Sequence, residues 1–155
     1  MAQDGGVSSE TRRGNAHEWS GLPEARREAG ARGDHSVGSQ HLLLALLGRS
    51  EGEAQRVLRR AGVSRAQFEA ALRGFQGQAG PPTQVDPDDV DVSERARVLI
   101  DRAVHLEPSG EATDEALLAA LLDDDDPGVA KAVLNYLGVG REWARGLVDE
   151  LHRRA

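Results

Sequence analysis

Apolar residues in this chain fall in short clusters at helical spacing, each bounded by Gly, Pro or a capping residue. Leu42, Leu43, Leu46 and Leu47 stand at i, i+1, i+4 and i+5, which predicts a helix with one buried face. Ser39 precedes them and is suited to cap that helix. Upstream, Pro23 fits a first helical turn, where the N–H it lacks would go unused, and a short helix is expected from there to about Arg32. Gly33 and Gly38 bracket the intervening turn. Downstream, Ser50 with Glu53 and Ser64 with Gln67 read as capping boxes. Between them a helix turns Val57, Leu58 and Ala61 inward and stops at Gly62, a residue suited to the position just past a helix end. Phe68, Leu72 and Phe75 form the stripe of a fourth helix.

The second half repeats this grammar. Ser93 starts a helix with Ala96, Leu99, Ile100, Ala103 and Leu106 on one face, stopped by Pro108 and Gly110. Thr113 caps the next, and Asp114 and Glu115 lie in its first turn, where the helix dipole favours anions. Leu117, Leu118, Leu121 and Leu122 reproduce the earlier Leu pattern. Asp126 and Pro127 read as the start of a helix with Val133, Leu134 and Leu137 inward and Gly138 at its end. Trp143, Leu147 and Leu151 line the last one. His41–Leu47 matches Ala116–Leu122, and Ala54, Val57, Leu58, Gly62 and Val63 match Ala130, Val133, Leu134, Gly138 and Val139 in order and spacing. Leu pairs alone would be weak evidence. The added Val-Leu and Gly-Val pairs point to duplication. Each copy is too small for a strong core of its own, so the two should pack together with approximate twofold symmetry. The expected fold is all-α, about eight short helices in two pseudo-twofold-related four-helix repeats. Residues 1–18 read as a flexible tail, 19–75 as repeat 1, 76–91 as a Pro-, Gly- and Asp-rich linker and 92–155 as repeat 2, with 19–155 one folded domain.

Composition narrows the function. Aromatics are 3% of the chain, and Ala and Leu carry much of the 39% hydrophobic share, which favours helices. With no Cys, disulfides, thiolate nucleophiles and thiolate metal sites are excluded. A net charge of −7 argues against nucleic-acid binding. No apolar run approaches the roughly 20 residues of a membrane span, and Met1–Asn15 lacks a signal-peptide core. The protein is therefore read as cytoplasmic, with neither nucleic acid nor membrane as partner.

The stretch Gly33-Asp-His-Ser-Val-Gly-Ser-Gln-His-Leu-Leu-Leu-Ala-Leu-Leu47, followed by Arg56-Val-Leu58 and Ala61-Gly-Val63, resembles the N-terminal domain of the Clp family of AAA+ unfoldases. The second copy keeps Ser93-Glu-Arg-Ala96, Asp114-Glu-Ala-Leu-Leu118, Ala132-Val-Leu134 and Leu137-Gly-Val139, so the resemblance covers about Leu22 to Arg153. It implies a recognition module that captures substrates or adaptor proteins. Some members bind phosphorylated arginine or cyclic-peptide antibiotics. It does not imply ATPase activity, since no Gly-x-x-x-x-Gly-Lys-Ser/Thr loop is present. The family's Thr-Glu-His becomes Ser39-Gln40-His41, which replaces an acid facing a guanidinium with an amide dipole. In the second copy Glu115 keeps the acid and Ala116 replaces the His.

The resemblance and the helix-start positions make Ser39, Gln40, His41, Thr113, Asp114 and Glu115 the expected ligand-binding residues, since helix N-termini present N–H groups to anions. His41 has a structural reading too, as a cap or packing residue. His17, His35, His105 and His152 lack ligand spacing, and no metal or cofactor is expected. Asp123–Asp126 reads as a solvated acidic loop rather than a calcium site. Ser36 and Ser39 lie near His35 and His41, but no strand–turn–helix elbow presents either hydroxyl, so no enzyme is expected. Trp143 reads as core. Trp19 reads either as folded back on the domain or as part of a binding surface. The expected function is a stand-alone module that binds peptides, protein substrates or adaptors of a Clp protease system. The alternative is a decoy that sequesters Clp-directed cyclic peptides.

Overall fold

The computed structural model describes residues 19–49, 53–76, 83–107, 110–122 and 129–139, with the isolated positions 146 and 149. Seven α-helices lie within them: α1 (Leu22–Ala31), α2 (Ser39–Gly48), α3 (Glu53–Arg60), α4 (Arg65–Gln76), α5 (Glu94–Leu106), α6 (Asp114–Leu122) and α7 (Val129–Tyr136). The helix predicted around Trp143, Leu147 and Leu151 lies outside the described residues, although Gly146 and Asp149 are both helical. No helix among the described residues is long and apolar enough to cross a membrane.

The helix signals act as chemistry predicts. Ser64 donates its N–H to Gln67 Oε1 at 3.0 Å, and Gln67 returns its N–H to Ser64 Oγ at 3.2 Å, a complete capping box at the start of α4. Ser93 Oγ accepts the Ala96 N–H at 3.1 Å, and Thr113 Oγ1 accepts the Ala116 N–H at 3.1 Å. Gly62 and Gly138 end α3 and α7 in the same way. Both have positive φ (84° and 94°), and both let the following Val reach back, Val63 to Leu58 O and Val139 to Leu134 O, each at 2.9 Å. Ser50 of the other expected box, and the expected helix start at Asp126 and Pro127, fall outside the described residues.

The Leu-rich helices differ from expectation. The spacing predicted one buried face. Instead α2 buries Ser39 and every residue from His41 to Leu46, and α6 buries every residue from Ala116 to Leu122. Helices apolar on all sides belong at the centre of a core. The reason lies in the packing. Within each repeat the first helix lies on the second, α1 on α2 and α5 on α6. Across the repeats, α3 packs on α6 and α7 packs on α2. Each central helix is therefore covered by both halves.

Two parallel strand pairings lock the halves together, and the all-α reading did not anticipate them. The two-residue strands β1 (Ser36–Val37) and β2 (Asp91–Val92) pair in the register Ser36↔Asp91, Val37↔Val92. Trp19 pairs with Ala112 in the same parallel sense. The segment before the first helix of each repeat thus meets the segment before the second helix of the other. The described part of the segment read as a linker, from residue 83, lies along α1. Val85 donates its N–H to Gly30 O at 2.9 Å, and a Cβ on Gly30 would collide with the Val85 carbonyl. Pro87–Asp89 then forms a 3₁₀ turn, capped by the Asp86 carboxylate on the Asp88 N–H.

Candidate functional site

At the start of α2 the structure corrects the capping residue. Gly38, not Ser39, is the N-cap, and Ser39 is the first helical residue. The N–H of Gly38 donates to His41 Nδ1 at 2.8 Å. His41 therefore fills the place a Glu or Gln takes in a capping box. Because Nδ1 accepts, the ring proton sits on Nε2, which faces Asp34 Oδ2 at 2.8 Å. The ring is 1% exposed. Burial pushes the imidazole below its ordinary 6.5. Asp34 and Glu28 pull it up, and Arg32 adds to the lowering. Ser39 is also buried, and its Oγ accepts the Ala130 N–H of α7 at 3.2 Å. Gln40 beside it is half-buried.

At the start of α6, Thr113 caps the helix and donates its hydroxyl to Glu107 Oε2 at 2.8 Å. Asp114 is engaged from the other repeat. Its Oδ1 accepts the Trp19 indole N–H at 2.8 Å, and its Oδ2 pairs with Arg49 Nε at 2.8 Å. The Arg49 guanidinium lies 5.7 Å from the centroid of the Trp19 ring and also donates to Ser20 Oγ at 3.1 Å. Trp19, at 2% exposure, is folded back on the domain. Glu115 is half-buried next to this cluster. The six predicted residues thus form two constellations, one in each repeat. In each, the residue at the first helical position spends its side chain on the opposite repeat: Ser39 on α7, Asp114 on Trp19 and Arg49.

A further polar cluster joins α1 to α4. Arg32 pairs with Glu28 at 2.8 Å and Glu69 at 2.7 Å, and Arg65 pairs with the same two carboxylates at 2.8 and 3.1 Å. Burial raises the Glu28 carboxyl, but Arg65 and Arg32 outweigh it, so the group sits below its ordinary 4.5. The bond to Glu28 is the main cause that raises Arg65.

Three surface clefts lie elsewhere. One is lined by Asp91, Val92, Glu94, Arg97, Val98 and Asp101. A second lies beside the Trp19–Ala112 pairing, between Ser20, Pro23, Val104 and Glu111. A third, between Glu24, Arg27, Ala45 and Arg65, is edged by the α1–α4 ion pairs. None of the three is lined by a predicted site residue. The first combines three carboxylates with Val98, a large apolar side chain left 44% exposed. Sequence reasoning missed it, although the run from Asp86 to Glu94 holds five acids and no base. No group of three or more His, Asp or Glu among the described residues is placed to hold a metal ion.

The family model described as the Clp repeat (R) N-terminal domain matches residues 15–112. The chain belongs to the Clp repeat N-terminal domain family. A chaperone protein ClpB of Oceanobacillus iheyensis is 30% identical over 134 residues, 84% of this chain and 16% of that protein. The negative regulator of genetic competence ClpC/MecB of Bacillus subtilis is 30% identical over 134 residues, with the same coverage of 84% and 16%. The chain thus spans about one sixth of the length of these relatives. A solved structure from work on a malarial protein secretion system superposes with a TM-score of 0.64 at 20% identity, covering 84% of this chain and 88% of that one, and supports the fold. The Clp repeat match takes in α1 to α5 and ends at Ala112, before α6 and α7.

Proposed function

We propose that this Clp repeat domain is a recognition module that binds extended segments of protein substrates or adaptors of a Clp protease system and performs no ATP chemistry itself. The observation that carries this reading is the acidic cleft beside β2. Asp91, Glu94 and Asp101 line it together with Val92 and the exposed Val98. Carboxylates around a small apolar surface fit a segment that alternates Arg or Lys with aliphatic residues, with the charges steering encounter. Arg97 in the same cleft supplies a donor for a backbone carbonyl. Of the six residues first singled out, Gln40 and Glu115 remain ligand candidates, because they stand half-buried in the first turns of α2 and α6, where the family resemblance puts guanidinium recognition.

The test is fluorescence anisotropy with a labelled Arg/Leu peptide, set against wild type and the double charge reversal Asp91→Lys/Asp101→Lys. Wild type should bind with an affinity that weakens as salt rises, and the double variant should lose about tenfold or more, given the cost of placing like charges at a docking surface. Equal binding by both proteins removes the cleft from the account. Thermal shift with phosphoarginine, free arginine and a Clp-directed cyclic peptide completes the panel. Stabilisation by the cyclic peptide alone would replace this reading with the decoy. Stabilisation by phosphoarginine but not arginine, lost in Glu115→Ala, would move the site to the start of α6.

A further inference from the structure

His41 occupies a capping position that ordinarily belongs to Glu or Gln, whose carbonyl oxygen accepts the N-cap N–H at any pH near neutral. An imidazole does so only while Nδ1 carries no proton. Protonation would set an Nδ1–H against the Gly38 N–H, donor facing donor, in a ring that is 1% exposed.

The residues that this cap fixes are the ones that grip the second repeat. His35 O accepts the Asp91 N–H at 2.9 Å, and Val37 O accepts the Ser93 N–H at 3.2 Å. Ser39 Oγ accepts the Ala130 N–H at 3.2 Å. These bonds to the 91–93 segment and to α7 leave from a five-residue stretch, His35 to Ser39, that holds the Gly38–His41 cap at its end. We propose that His41 is a proton-operated latch: acidification breaks its cap on Gly38 and loosens the clasp between the 35–39 segment and the second repeat.

The charged groups acting on the ring are Asp34 in the turn and Arg32 and Glu28 on α1, with Glu69 and Arg65 of α4 behind them in the ion-pair cluster. The buried residues of α5, α6 and α7 are apolar. Asp34 and Glu28 favour the imidazolium. Asp34 is 41% exposed, so water screens its pull, and burial is the largest influence on the ring. The native ring thus binds a proton less readily than an unfolded one. Above pH 6.5 the latch is closed and its contribution to stability is complete. As pH falls below 6.5 the unfolded chain takes up the proton first, and the contribution drains away through the depressed native value.

The experiment is NMR on the folded chain from pH 8 to pH 5, with His41→Gln as the partner variant. Long-range ¹H–¹⁵N spectra should show the Nε2–H tautomer at neutral pH and a His41 midpoint below the ordinary value. Across that midpoint the Gly38, Asp91, Ser93 and Ala130 amides should lose protection together, by about fivefold or more after correction for intrinsic exchange, the loss expected from removing a helix cap. The Ala116 amide, capped by Thr113, serves as the control and should stay protected. Gln at position 41 retains an acceptor for Gly38 and should abolish the step. A ring that titrates at or above its ordinary value overturns the proposal, as does unchanged protection while the ring titrates, or a step that persists in the variant. If His41→Gln fails to fold, the wild-type titration and exchange decide alone.

Discussion

The two Leu-rich helices begin at equivalent places in the repeat and are capped by different chemistry. At α2 a histidine ring accepts the N–H of a glycine that has no side chain to offer. At α6 a threonine hydroxyl accepts the Ala116 N–H and is itself tied to Glu107. One cap is an imidazole, which can take up a proton, and the other is a hydroxyl, which does not titrate near neutral pH. The pairing with the opposite repeat differs as well. Ser39 makes one hydrogen bond to a backbone amide of α7, whereas Asp114 binds an indole and a guanidinium at once. Duplication has preserved backbone paths and buried leucines while the polar groups at the helix starts diverged.

The largest effect should come where the copies remain alike. Leu43 and Leu118 hold the same place in α2 and α6, and both are fully buried. Leu43→Ala and Leu118→Ala should each cost about 2–5 kcal/mol, read by urea unfolding. Values that agree closely support equivalent environments, and a gap of several kcal/mol would break the symmetry.

The next effect is confined to one repeat. Asp114→Ala strips Trp19 of its acceptor and leaves Arg49 with Ser20 and the longer 3.6 Å pairing to Glu24, and should cost about 1–3 kcal/mol, chiefly the penalty for the unpaired buried indole N–H. Trp19 fluorescence should shift to the red as the indole gains access to water. An unchanged spectrum and unchanged stability would show that the cluster contributes nothing.

A smaller effect tests the helix ends. Gly62→Ala and Gly138→Ala meet no atom within 4 Å, so each carries only the left-handed backbone penalty, about 1 kcal/mol. Equal costs in chemical denaturation would sharpen the comparison between repeats. A cost at one site alone would show that the two turns are held differently.

Much of the fold was legible because helix punctuation is local. Pro23, the Ser64–Gln67 box, Ser93, Thr113 and the paired Gly62 and Gly138 declare themselves within a few residues, and the repeat follows from their spacing. The strand pairings were invisible, since two residues show no alternation to detect and their partners lie in the other repeat. Ser39 was misassigned because a serine before a Leu run looks like a cap whether or not its hydroxyl is claimed by α7. Trp19 could not be placed because its partner lies 95 positions away. The acidic cleft was hidden because it forms only when β2 and the outer face of α5 lie side by side.

The central claim is that a peptide segment docks in the cleft beside β2. The most direct measurement is a ¹⁵N–¹H shift map of the folded chain during titration with the same Arg/Leu peptide. The account predicts saturable shifts concentrated at Asp91, Val92, Glu94, Arg97, Val98 and Asp101. Shifts centred instead on Gln40 or Glu115, or an absence of saturable shifts anywhere, would contradict it.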